Sequence, residues 1–134
     1  MIDIESAVFD TVANKVYEKF PDTYMTGEYV KSPPSFPAVS LMETDNTVRE
    51  DTIDSGSNEN HANVMYELNV YSNKTSGKKS ECKEIVAFID SIMLAMGFVR
   101  VTLTPVPNEY DSTIYRMLAR YRASVSANNS IFRR

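Results

Sequence analysis

The residues of this chain best suited to nucleophilic or acid–base chemistry are one histidine, His61, and one cysteine, Cys82. Covalent catalysis needs a nucleophile, a base and an orienting group within reach of one another, and the spacing supplies no such trio. His61 stands at the edge of a long polar stretch, where the default reading is a loop or strand-edge histidine. Cys82 falls on the apolar seam of a predicted helix, which predicts a small buried hydrophobe with an unperturbed thiol. No Gly-x-Ser-x-Gly elbow is present. One Cys and one His cannot make a zinc site. Asp51, Asp54, Gly56 and Glu59 gather oxygen ligands. Ile53 and Ser55, however, interrupt the alternation of Asp and Asn that a calcium loop requires ahead of its glycine. Ser76-Gly77-Lys78-Lys79-Ser80 has the outline of a phosphate loop, but Ser72 stands where the first glycine belongs and Lys79 where the hydroxyl belongs. Carboxylate pairs for glycoside chemistry are not excluded by spacing, yet the chain has no tryptophan for a sugar platform. The reading is a chain without catalytic residues, cofactor or metal, whose chemistry is that of contact surfaces.

The elements that would position such surfaces are legible from periodicity. Residues 3–20 predict a helix, with Asp3 as N-cap, Glu5 in the first turn, and a stripe of Ile4, Ala7, Val8, Val12, Val16 and Phe20 widened by Phe9, Ala13 and Tyr17. Pro21 ends it. Residues 23–31 predict a strand with a possible bulge at Gly27, followed by the extended connection Ser32-Pro33-Pro34-Ser35-Phe36-Pro37. A short strand over 38–43 leads into a long polar loop, 44–60. Residues 62–72 alternate cleanly, with Ala62, Val64, Tyr66, Leu68 and Val70 on one face. A second helix covers 78–96, with Cys82, Ile85, Val86, Ile89, Ile92, Met93 and Met96 in its seam and Gly97 as the left-handed residue after it. Residues 98–104 return to period two with Val99, Val101 and Leu103 on one face, until Pro105-Val106-Pro107-Asn108 breaks the strand. Residues 113–126 fit both a helical stripe and a strand; the alternation of Tyr115, Met117, Ala119, Tyr121, Ala123 and Val125 with Arg116, Arg120, Arg122 and Ser124 decides for strand. Residues 128–134 read as a mobile basic tail. The expected fold is α+β in one domain, 1–134: a mostly antiparallel sheet of about five strands with two main helices packed against it.

Composition bounds the function. A length of 134 residues suits one domain able to bury its core without disulfides. No apolar run is long enough to span a bilayer, and acids at Asp3 and Glu5 stand where a secretory signal would carry bases, so the expectation is a cytoplasmic chain with no membrane partner. A net charge of −4 argues against a general nucleic-acid binder. The charge is unevenly distributed: residues 1–67 hold 13 acids and 4 bases, residues 68–134 hold 5 acids and 10 bases. Either both sets are solvated surface scattered over the fold, or they form faces of opposite sign that favour contacts between copies or partners.

One resemblance rests on order and spacing in the second half. Val70-Tyr71-Ser72-Asn73-Lys74 ends a strand; a helix follows with Ile89-Asp90 near its middle; Gly97-Phe98 leads into a strand; and Pro107-Asn108, Asp111, Ile114-Tyr115-Arg116 and Arg120-Tyr121 close the run. This resembles the tail terminator, or tail completion, proteins of long-tailed bacteriophages, often described as minor capsid proteins. The resemblance implies a virion protein of the tail or neck, assembled in the host cytoplasm. Such a protein forms a hexameric ring on the finished tail tube, contacts tube protein and the head connector or stopper, and lets DNA pass through its lumen. It brings no catalytic residues. The candidate contact residues are Glu50, Asp51, Asp54 and Glu59 in the acidic loop, Lys78 and Lys79, Arg116, Arg120 and Arg122, and Phe132, Arg133 and Arg134 at the end. The alternatives are a head-completion or stopper ring, a cellular adaptor that binds a peptide along a sheet edge, and, last, an enzyme with a diffuse carboxylate site.

Overall fold

The computed structural model describes residues 1–48, 61–107 and 111–132. Its elements run in the order α1 (Glu5–Lys19), β1 (Tyr24–Thr26), β2 (Ala38–Val48), β3 (His61–Ser72), α2 (Lys78–Met96), β4 (Val99–Val106), β5 (Tyr115–Ser126) and β6 (Ile131–Phe132). The strands form one six-stranded sheet in the order β1-β2-β3-β5-β4, with β6 also paired to β5. All pairings are antiparallel except β1 with β2. The fold is therefore the expected α+β arrangement of a mostly antiparallel sheet with two helices.

Both helices lie on the same face of the sheet. The seams of α1 (Val8, Val12, Ala13, Val16) and α2 (Cys82, Ile85, Ile89, Met93) meet the inward rows of β2, β3 and β5 in one apolar cluster. Ala62, Val64, Tyr66, Leu68 and Val70 are each buried, as the alternation of β3 requires. Within α1 the stripe narrows: Ala7 and Tyr17 are exposed. Ile4, not Asp3, occupies the N-cap position, while the Asp3 carboxylate still accepts a hydrogen bond from the Glu5 N–H at 3.1 Å. α2 spans the predicted residues and ends on Gly97 at φ 110°, with the Gly97 and Phe98 N–H groups donating to the Leu94 and Met93 carbonyls.

Among the described residues, no helix covers the opposite face. The connection between β1 and β2 reaches it, where Val30 and Phe36, with Tyr24, pack on Ala38, Tyr71 and Ile114.

Several expectations are corrected. β1 is three residues long, and the strand irregularity sits between Glu43 and Asp45 in β2, not at Gly27. β2 continues through Thr44–Val48, which read as loop; β1 pairs with Ala38 to Ser40, so beyond that point β2 is an edge strand among the described residues and tolerates polar residues on both faces. β4 runs on through Pro105, which an edge strand accommodates because its free side needs no donor. A register shift between Arg100 and Thr102 also breaks the predicted face of β4. Val99 lies opposite Arg122 and Leu103 opposite Ala119, which point to different sides of the sheet, and Val101 and Leu103 are 46% and 40% exposed. Finally, the basic tail is not free over its whole length: Ile131 and Phe132 pair with Val125 and Ser124, and Ile131 packs on the core. The rest of the predicted polar loop, 49–60, and Arg133 and Arg134 lie outside the described residues.

Candidate interaction surface

The helix-free face is built by side chains that alternate away from the core. Along β5 these include Arg116, Leu118, Arg120, Arg122 and Ser124; across β3 they meet Tyr71, Asn69, Glu67, Met65 and Asn63. Period two thus places Arg116, Arg120 and Arg122 in one row. Arg116 donates from Nε to Asn69 Oδ1 at 2.9 Å, and its guanidinium lies 5.6 Å from the centroid of the Tyr71 ring. Arg120 pairs with Glu67 at 3.3 Å. Arg122 is half-buried and has no ion pair among the described residues. Buried Ser124 donates to Asn63 Oδ1 at 2.9 Å. The side chains of Arg116, Arg120 and Ser124 are therefore linked across to β3, and among the described residues that of Arg122 is not.

The edge of the sheet beyond β5 is formed by β4 and β6, set end to end. Val99 pairs with Arg122 and Phe132 with Ser124, so the start of β4 adjoins β6. Val101, Leu103 and Phe132 are exposed there. The Phe132 ring meets His61 edge-on at 5.7 Å. Gly97 makes the junction possible: a Cβ on it would lie 3.0 Å from the Ile131 carbonyl oxygen. Behind this edge, the buried Tyr121 hydroxyl donates to Asp90 Oδ1 at 2.7 Å, and Arg100 holds Asp90 Oδ2 at 3.1 Å. Burial and the Asp90 carboxylate raise the Tyr121 phenol above its ordinary range. Sequence reasoning missed this link because its three members sit on three separate elements with no shared motif.

Acids gather at the other edge. The Glu43 N–H donates to Glu5 Oε2 at 2.7 Å, and Asn46 donates to the Ile2 carbonyl at 2.8 Å, tying the N-terminal segment to β2. Burial, together with the Glu5 and Asp3 carboxylates, pushes Glu43 up from 4.5 to about 7. The Tyr66 hydroxyl below them is buried with no hydrogen-bond partner among the described residues. Beside this cluster, a cleft of about 560 Å³ opens between α1, β1 and β2, with Phe9, Met25 and Leu41 on its walls and Glu5, Asp10 and Glu28 among its polar lining. A second cleft, about 450 Å³, lies between the helices, where Lys19 Nζ stands 4.8 Å from the Phe88 ring centroid.

The other predicted contact residues are scattered. Lys78 opens α2 and donates to the Thr113 carbonyl at 3.3 Å, and Lys79 beside it is exposed. Glu50, Asp51, Asp54, Glu59, Arg133 and Arg134 lie outside the described residues. Cys82 is buried as expected, but its thiol is not unperturbed: burial pushes it up to about 12, and its sulfur sits 3.5 Å from the Tyr115 carbonyl and 3.6 Å from that of Val70. Among the described residues no group of three or more His, Cys, Asp or Glu is placed to hold a metal ion, and no helix among them is long and apolar enough to cross a membrane. What the arrangement offers chemically is an arginine-bearing sheet face, an apolar edge, and an acidic cleft on the opposite edge. No protein-family model matches the sequence, and none of the curated proteins compared with it matches.

Proposed function

We propose that this chain is a non-catalytic assembly protein that associates with copies of itself and, in the role the resemblance names, forms the ring that caps a phage tail tube and presents the head-joining surface. The observation that carries the self-association reading is the sheet itself. Among the described residues, one face has no helical cover and the edge strand β4 has no strand paired to its outer side. Monomeric folds generally blunt such edges with proline, charge or a bulge; β4 carries Pro105, Arg100 and the shift between Arg100 and Thr102, yet leaves an apolar part of its edge open. Here Val101 and Leu103 stand exposed on it. The assignment to a tail cap rests on the resemblance of the second half of the sequence.

The experiment is a mass measurement at micromolar concentration by sedimentation velocity, alone and with tail tube protein, coupled to a tube-elongation assay. Oligomers that arrest elongation are expected. A chain that stays monomeric in both conditions and leaves elongation unchanged overturns the reading. The open edge also favours a second reading, a peptide-binding adaptor that adds a peptide strand to β4; such a protein would stay monomeric until given its peptide.

A further inference from the structure

The described strands carry their charges on opposite sides of the sheet. β4 and β5 hold four arginines (Arg100, Arg116, Arg120 and Arg122) and no acid. β2 holds Glu43 and Asp45 and no base, and the cleft beside it is lined by Glu5, Asp10 and Glu28 with no base. Each side also has an apolar part. At the β4 edge these are Val101, Leu103 and Phe132, all exposed; in the cleft it is the half-buried Phe9, with Met25 and Leu41 buried behind it. An apolar ridge beside Arg122 thus stands at one edge, and at the other a mainly polar cleft bearing three carboxylates, with Phe9 as its partly open apolar residue.

These two surfaces cannot meet within one chain. The order β1-β2-β3-β5-β4 separates the edges by four strand spacings, roughly 19 Å at about 4.8 Å each, in a hydrogen-bonded sheet. We infer that the occupant of the acidic cleft is the β4–β6 edge of a second copy, docked head to tail, with Arg122 brought to the carboxylates of Glu5, Asp10 and Glu28. This deepens the self-association reading and rests on it. Because the two surfaces differ, each copy keeps one of each free after docking. The contact is therefore heterologous, and it propagates until it closes on itself. Complementary charge fixes the order of the two surfaces and disfavours β4 pairing with another β4, which would bring Arg122 towards its own copy.

The test is a charge swap followed by sedimentation velocity at low and moderate salt. E28K makes the cleft rim less acidic; R122E does the same to the basic edge in the opposite sense. Both positions lie away from the apolar core, and melting curves check that each variant folds. Each variant alone is expected to associate about tenfold more weakly than the parent chain, with a smaller loss at high salt. An equimolar mixture of the two is expected to recover association, because the altered cleft of one then faces the altered edge of the other while the unaltered pair remains. A mixture no better than its components overturns the inference, since it removes the pairing of unlike surfaces. So does an E28K chain of unchanged affinity beside an R122E chain of increased affinity, which is the pattern of β4 pairing with itself. In either case the parent chain's own association leaves the broader reading standing; a parent chain that never associates removes both.

Discussion

Replacing Glu43 by Gln gives the sharpest test of how the two edges differ. Glu43 lies at the irregularity in β2, half-buried, with Glu5 and Asp3 close by. Its carboxyl titrates near 7 in the folded chain against 4.5 ordinarily, chiefly because of burial and then because of the two neighbouring acids. Between these values the folded state holds a proton that the unfolded state has released. Stability therefore falls as pH rises from 4.5 to about 7 and levels off above that. The full shift would correspond to about 3 kcal/mol, and the solvent that still reaches Glu43 reduces this to about 1–2 kcal/mol. Gln keeps the size of the side chain and its acceptor for Asn46 Nδ2, which stands 3.5 Å from Glu43 Oε1, and cannot ionise. Urea unfolding followed by circular dichroism at pH 4.5, 6 and 8 should show parent and E43Q nearly equal at the lowest pH. E43Q should be about 1–2 kcal/mol more stable at the highest, or about 3–7 °C in melting temperature. Other groups titrate in both proteins, so the difference between the two curves is the quantity to read. A difference that stays flat across the range, or that favours the parent at pH 8, refutes the coupling of these carboxylates.

Further substitutions probe the opposite edge. Asp90→Ala leaves the Tyr121 hydroxyl buried without its acceptor and frees Arg100, so it should cost about 2–3 kcal/mol in chemical denaturation. Tyr121→Phe keeps the Asp90–Arg100 pair and should cost about 1 kcal/mol, with the double variant costing less than the two combined. Gly97→Ala meets both a φ of 110° and the Ile131 carbonyl, and should cost about 2–4 kcal/mol and displace β6. Gly77→Ala, at φ 87° with open space around it, should cost about 1 kcal/mol and leave the NMR signals of the His61–Phe132 contact unchanged.

The elements with one dominant period were legible in the sequence, and those decided by position in the sheet were not. α2 carried a full apolar seam and a glycine stop, so both its ends were readable. β5 fitted two periods locally, and the alternation that favoured strand is the one the neighbouring strands β3 and β4 impose on both its sides. The polar end of β2 and the proline in β4 depend on which strands lie at an edge, a property of the strand order that no local window contains. β6 is two residues long, below any period, and its place is set by the missing Cβ of Gly97 thirty-odd residues earlier. The same division holds for the surfaces. The arginine row of β5 follows from i, i+4 and i+6 along a strand, whereas the link of Asp90, Arg100 and Tyr121 and the contact of Glu5 with Glu43 join residues far apart in sequence.

The topology explains why charge that is divided along the sequence becomes charge divided across the sheet. The first half of the chain builds β1, β2 and most of β3 in spatial order from one edge. The second half leaves through α2, lays β4 at the far edge, and returns β5 into the gap between β3 and β4. Each half of the chain is thereby confined to its own side, with β3 as the boundary, and Glu67 on that boundary is the acid that meets Arg120 across it. Because both helices cover the same face, the arginines of β5 can point only to the uncovered one without entering the core, and burying an unpaired guanidinium there would cost more than the fold can spare. The polarity of the surface is therefore a consequence of strand order and helix placement together. Substitutions that exchange charge between the edges, such as E28K and R122E, should alter how copies meet while leaving the apolar layer between sheet and helices as it is.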